Sequence, residues 1–336
     1  STALSVFTLL LNDEKFGGVV PYYLSQIYYK TGEIDKLLAV GESLLTQAVT
    51  SRAAEVAKLI GEGYYQKSNW KQAALYLEKH QELGGKLKVQ DQYKLGFVLY
   101  KTNRYQEAIK AFNKIHDRGD DLGQSAYYHL ADCYLKTGKQ TEAQGAFFKA
   151  SESGSDLRLR EDAYFNYAKL AYASATPFEQ PLDIFKEFLK KYPNSKYRAE
   201  ANEYLAKLYL NSKDYESAMK SISAAGLDQP TMQGAYQKVA YFRGVQHFNA
   251  IQYPAAKRMF ERSLQYPLNN VHTALAHYWL AESAYRGKEF DEALRELSKF
   301  ESIPGSATLS QYKRSLYNKA YTYFSQGNFE AAATTF

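Results

Sequence analysis

The chain has 336 residues and a formal net charge of only +6, from 42 Lys plus Arg against 36 Asp plus Glu. The basic residues form no run of five, so the electrostatic stripe that a nucleic-acid binder lays along phosphates is missing. One cysteine, Cys133, excludes an internal disulfide, and no apolar run approaches a membrane span. The 31 tyrosines are an excess that needs a structural reason.

In chain order, Ala3, Phe7 and Leu10 fall at three- and four-residue steps and predict a helix ahead of Gly17-Gly18. Its register is that of the second helix of a repeat, so residues 1–16 are expected to close a preceding unit. From 18 to 336 the chain reads as a single array of about nine repeats, the last truncated. Residues 124–154 show the unit. Ala126, Tyr127, Leu130, Ala131, Tyr134 and Leu135 give one helical stripe. Lys136-Thr137-Gly138-Lys139 gives a turn with glycine at a left-handed cap. Ala143, Phe147 and Ala150 give a second helix, and Ser151-Glu152-Ser153-Gly154 closes the unit.

The second helix repeats in frame. Ala73, Ala108, Ala143, Ala218, Ala256, Ala293 and Ala332 recur every 35 to 39 residues, apart from one doubled gap. Trp70, Tyr105, Gln140, Tyr215, Tyr253, Phe290 and Phe329 stand three residues before them. Leu77, Phe112, Phe147, Ile222, Phe260, Leu297 and Phe336 stand four after. The first helix carries a small residue nine times, at Ser25, Gly61, Gly96, Ala131, Ala168, Ala206, Gly244, Ala281 and Ala320, where a close helix contact leaves no room. A fixed period of this length predicts a helical solenoid. Two units depart. The first has Leu37 and Gly41 where Ala and a bulky residue are expected. The fifth has Pro181 or Leu182 at the alanine, with an extra residue around Ser174-Ala175-Thr176-Pro177.

No pattern points to catalysis or to a resident cofactor. His80, His116, His129, His247, His272 and His277 show no zinc spacing with cysteine, and no glycine loop of the phosphate-binding type is present. Asp120-Asp121 precedes a helix and reads as capping. The chain is therefore expected to be neither an enzyme nor a metal protein.

With Tyr127, Leu130, Ala131, Tyr134, Gly138, Ala143, Phe147 and Ala150 in frame, the unit resembles the tetratricopeptide repeat (TPR), and the resemblance covers the whole chain. It implies an all-α, right-handed superhelix of antiparallel helix pairs whose first helices line a concave face. The fifth position of the family's first helix corresponds here to Tyr22, Lys58, Tyr93, Tyr128, Phe165, Glu203, Tyr241, Tyr278 and Tyr317. The twelfth corresponds to Tyr29, Tyr65, Tyr100, Leu135, Tyr172, Leu210, Phe248, Tyr285 and Phe324. The resemblance thus implies a groove for a partner peptide or helix, lined by Tyr22, Tyr29, Tyr65, Tyr93, Tyr100, Tyr128, Phe165, Tyr172, Tyr241, Tyr278, Tyr285 and Tyr317. The same rings also fit a role as core between helices. Tyrosine suits a groove because it is large, rigid and amphipathic. Lys58 is the sole lysine at position five and its ninth-position neighbour is Glu62, against the family's clamp for a terminal carboxylate. The run Phe185-Lys186-Glu187-Phe188-Leu189-Lys190-Lys191-Tyr192-Pro193-Asn194-Ser195 is similar to TPR proteins of the bacterial cell envelope, which points towards a periplasmic or outer-membrane-associated setting. The whole chain is similar to large TPR proteins of Bacteroidetes-type bacteria. Binding of a glycan strand by the aromatic columns, and a spacer role for a domain elsewhere, are the alternatives.

Overall fold

A computed structural model describes residues 2–174 and 180–336. The described residues fold into α-helices joined by short turns, with no strand among them. Contacts divide the chain into two compact units, Ser1–Glu179 and Gln180–Phe336. The first holds α1 (Thr2–Leu9), α2 (Val20–Lys30), α3 (Ile34–Gln47), α4 (Thr50–Gln66), α5 (Trp70–Glu82), α6 (Val89–Lys101), α7 (Tyr105–Phe112), α8 (Asp121–Lys136), α9 (Gln140–Glu152) and α10 (Leu157–Ser174). The second holds α11 (Pro181–Lys191), α12 (Arg198–Asn211), α13 (Tyr215–Ala225), α14 (Pro230–Asn249), α15 (Tyr253–Ser263), α16 (Asn270–Arg286), α17 (Phe290–Ser302), α18 (Tyr312–Ser325) and α19 (Phe329–Thr335). The extra residue expected at Ala175-Thr176-Pro177 lies outside the described residues.

Within each unit the repeats are hairpins of two antiparallel helices, and their core follows from the size pattern. The repeating alanines of the second helices are buried, from Ala73 to Ala332. All nine small residues of the first helices are buried too. Gly61, Gly96 and Gly244 each make room for the bulky residue sixteen positions on. A Cβ on Gly96 would stand 2.7 Å from the ring of Phe112, one on Gly244 2.5 Å from Phe260, and one on Gly61 3.0 Å from Leu77. Leu77, Phe112 and Phe260 are fully buried and cannot retreat.

The two departures are compensated locally. Leu37 is fully buried in the place of an alanine. Gly41, where a bulky residue is expected, leaves the space that Ile60 of α4 fills, with Cγ1 3.0 Å from where a Cβ would be. In the fifth repeat Pro181 stands in the alanine frame and forms the first turn of α11, where a missing N–H costs nothing. Phe185 and Phe188 then supply the buried side chains.

The hairpin turns share one geometry. Gly32, Gly138 and Gly327 take positive φ, and so do Ser68, Asn103, Lys213, Ile251 and Lys288 at the same place in other repeats. The next residue's N–H returns to a carbonyl five residues back, as in Asn69 to Tyr64, Lys139 to Tyr134 and Gln252 to His247. This closes the first helix with a Schellman motif. Asn69, Asp214 and Asn328 also accept a backbone N–H of the second helix as N-caps. Ahead of first helices Asp120 does the same for Gly123, as its sequence position predicts.

Neighbouring repeats are tied by two buried glutamines. Gln124 donates to the Asp156 carbonyl at 3.0 Å and accepts from the Asp156 N–H at 3.2 Å. Gln237 likewise donates to the Asn269 carbonyl and accepts from the Asn269 N–H at 2.9 Å. Both glutamines are fully buried, and each fixes the start of the next first helix through its otherwise unpaired backbone.

Candidate functional site

Within each unit the first helices of successive repeats touch, α2 with α4, α6 with α8, α8 with α10 and α14 with α16. These first helices carry the tyrosine columns. In the first unit Tyr22, Tyr29, Tyr65, Tyr93, Tyr100, Tyr128 and Tyr172 are half-buried, whereas Phe165 is buried at 2% exposure. Phe97 and His129, absent from the sequence-derived set, gather four of these rings. Tyr93 and Tyr65 lie 6.3 and 6.0 Å from Phe97. Tyr100 and Tyr128 lie 5.2 and 5.9 Å from His129. Burial pushes the Tyr93 hydroxyl up to about 12 and His129 down to about 4, so both are neutral at pH 7. Tyr22 sits under the Arg52 guanidinium, 4.8 Å from its ring centre.

The charges of this face are tied across repeats. Lys58 pairs with Asp91 at 2.6 Å and Lys94 with Glu62 at 2.7 Å, with both carboxylates buried. Burial raises the Asp91 carboxyl, but the Lys58 hydrogen bond and the ion pairs outweigh it and the net direction is down. Lys58, the sole lysine at position five, is thus spent inside the array.

In the second unit the columns divide. Tyr241 and Tyr278 are core residues, 8% and 1% exposed, Tyr285 is half-buried and Tyr317 is 56% exposed. Tyr278 is enclosed by Ala281, Leu297 and Phe300. Phe165, Tyr241 and Tyr278 therefore offer a partner almost no surface, and their columns serve as core at those three points. Tyr285 and Tyr317 line a cleft of about 350 Å³ between α16, α17 and α18, together with Glu282, Arg286, Arg314, Asn318 and Tyr321. Tyr321, missing from the sequence-derived set, links the two tyrosines, 6.4 Å from Tyr285 and 5.9 Å from Tyr317. Its position on the same helical stripe, four residues after Tyr317, was the available signal. Glu282 accepts hydrogen bonds from Tyr278 at 3.1 Å and from the Asn318 amide. Among the described residues there is no group of three side chains suited to a metal ion and no helix long and apolar enough to cross a membrane.

Models described as tetratricopeptide repeat match residues 93–157 and 246–307, residues 162–195 and residues 313–336, together more than half of the chain. The chain belongs to the tetratricopeptide-repeat family. TPR proteins are in general protein-interaction scaffolds rather than enzymes. No curated protein matches the sequence. Among solved structures, YrrB, titled a TPR protein with an unusual peptide-binding site, is 21% identical over 56% of this chain and 93% of its own, with a TM-score of 0.44. The TPR2AB domain of yeast Sti1, in complex with a pHSP90 ligand, is 15% identical over 83% and 98%, with a TM-score of 0.43. A TPR protein from Parabacteroides merdae is 12% identical over 78% and 97%, with a TM-score of 0.38.

Proposed function

We propose that this TPR protein is an interaction scaffold that holds a partner peptide or helix against the face built by its first helices. One observation carries the reading: on the first unit Tyr65, Tyr93, Tyr100 and Tyr128, from three successive first helices, gather around Phe97 and His129 and stay half-buried rather than enclosed. Rings already packed edge to face or in a stack lose little freedom on binding, and tyrosine gives both apolar area and a polar rim. Tyr22, Tyr29, Tyr65, Tyr93, Tyr100, Tyr128 and Tyr172, half-buried on the first unit, extend the same use of the face. The same repeat frame runs through both units in sequence. A bacterial envelope setting fits the run Phe185–Ser195.

The test is capture from a random-peptide library by the intact chain and by a triple variant, Tyr65→Ser, Tyr100→Ser and Tyr128→Ser. Capture lost at unchanged helical circular dichroism is the expected result. Equal capture by the variant, or binding on a glycan array with no peptide capture, overturns the reading.

A further inference from the structure

We propose that the ring cluster of the first unit takes an arginine side chain of the partner peptide, its guanidinium lying against Phe97 and Tyr100 with its N–H groups towards Asp132; this specificity rests on the groove reading above. A cation already stands at the rings. Lys101, the last residue of α6, is exposed, and its Nζ lies 5.2 Å from the centre of the Phe97 ring and 5.6 Å from that of Tyr100. These ring faces therefore attract a positive group, as the negative face of an aromatic ring does. Lys101 has no ion-pair partner among the described residues. Lys58 and Lys94 differ sharply, since each is held by a buried carboxylate.

The opposite charge comes from Asp132 of α8. It is half-buried and has no ion-pair partner among the described residues. Burial, followed by the hydrogen bond to Asp132 and its charge, holds the Tyr100 hydroxyl protonated, so Tyr100 donates to this carboxylate. Other carboxylates near the cluster are engaged: Glu62 and Asp91 by the two lysines, and Asp162 by the Tyr128 hydroxyl and the Asn166 amide. His129, neutral at pH 7, adds no opposing charge. The surrounding rings lower the local dielectric and strengthen any pair formed with Asp132. A guanidinium suits the place better than an ammonium, because its plane stacks on a ring while its edge meets a carboxylate. Lys101 then acts as an internal competitor, which the incoming arginine displaces into solvent. The chain's net charge of +6 disfavours basic ligands at long range. A preference for arginine must therefore arise from this local arrangement.

The experiment is fluorescence anisotropy on the intact chain with three labelled peptides of equal length, alternating Leu with Arg, with citrulline (its uncharged isostere) or with Asp, each as a C-terminal amide. The Arg peptide should bind about tenfold tighter than the citrulline peptide. Asp132→Asn should shrink that ratio to within about twofold. Lys101→Met, a change at an exposed side chain, should tighten the Arg peptide by roughly threefold, because the internal competitor is gone. Equal binding of the Arg and citrulline peptides, tighter binding of the Asp peptide, an Arg preference kept by Asp132→Asn, or an Arg peptide that Lys101→Met leaves unchanged or weakens overturns the arginine specificity. Those results leave the groove reading standing when binding still depends on Tyr65 and Tyr128. Absence of binding by every peptide overturns both.

Discussion

At the scale of single residues, environment rather than type decides what a side chain does. Tyr128 and Tyr278 share one position of the repeat, yet one is half-buried and the other is 1% exposed. Six histidines look alike in sequence, but His129 sits among Tyr93, Phe97, Tyr100, Phe112 and Tyr128. Burial there, with a smaller push from Lys101 and an opposing pull from Asp132, holds its pKa down at about 4. The unfolded chain binds that proton near the ordinary value of 6.5. Between the two values the unfolded state holds more protons. His129 thus leaves stability complete above its unfolded pKa and lowers it as pH falls, until the loss levels off below the folded pKa. The expected loss reaches at most about 3 kcal/mol. Urea midpoints of the parent and of His129→Phe, measured from neutral to mildly acid pH, check this. The variant should show the shallower decline, and parallel curves would contradict the assignment.

At the scale of elements, the hairpin is the conserved geometry of these repeats and its residues are not equally suited to it. Gly32, Gly138 and Gly327 occupy the left-handed position freely, whereas Ile251 holds φ 60° there with a branched side chain that is 73% exposed. A left-handed backbone costs a residue with a Cβ about 1–2 kcal/mol, more than the roughly 0.5–1 kcal/mol of chain entropy that glycine adds to the unfolded state. Ile251→Gly should therefore stabilise the protein by about 1 kcal/mol, read as a raised urea midpoint at unchanged slope. A lowered midpoint would mean that Ile251 makes contacts worth more than its strain. The sequence marked the turn at Gly138 by composition, and the structure adds Asn103, Lys213, Ile251 and Lys288, of which only Asn103 is a type common in the left-handed region. The first repeat teaches the same lesson about packing. Leu37 and Gly41 read as a broken frame, but the pair exchanges large for small and Ile60 completes the volume.

At the scale of the molecule, each repeat is stabilised by its neighbours, so damage should stay near its origin. The two tryptophans fall one in each unit, Trp70 in the first and Trp279 in the second. Gly96→Ala forces a Cβ to 2.7 Å from the buried ring of Phe112. Alanine gains roughly 1 kcal/mol of helix propensity over glycine, but overpacking a rigid core costs about 1–3 kcal/mol, and with Phe112 fully buried the cost prevails. In Trp70-only and Trp279-only versions, the Gly96→Ala midpoint should fall further for Trp70 than for Trp279. Equal shifts would show one cooperative transition through all repeats.

The sequence by itself determined the helices, their pairing into hairpins, the buried alanines and the small-to-bulky contacts. These are encoded in periodicities of three to four residues and in a spacing of about 36, which every repeat restates. Asp120 was legible for a related reason, since its place just ahead of a helix marks it as a cap. Tertiary structure decided which rings stay open and which charges are spent. Exposure at one position of a helix depends on what the adjoining helices bring against it, as Phe300 does for Tyr278. The pairing of Lys58 with Asp91, and of Gln124 with Asp156, spans about one repeat and leaves no trace in either helix alone. The tyrosine columns could thus be written down from the chain, but the enclosure of Phe165, Tyr241 and Tyr278, beside half-open rings gathered at Phe97 and His129, exists only where neighbouring helices meet.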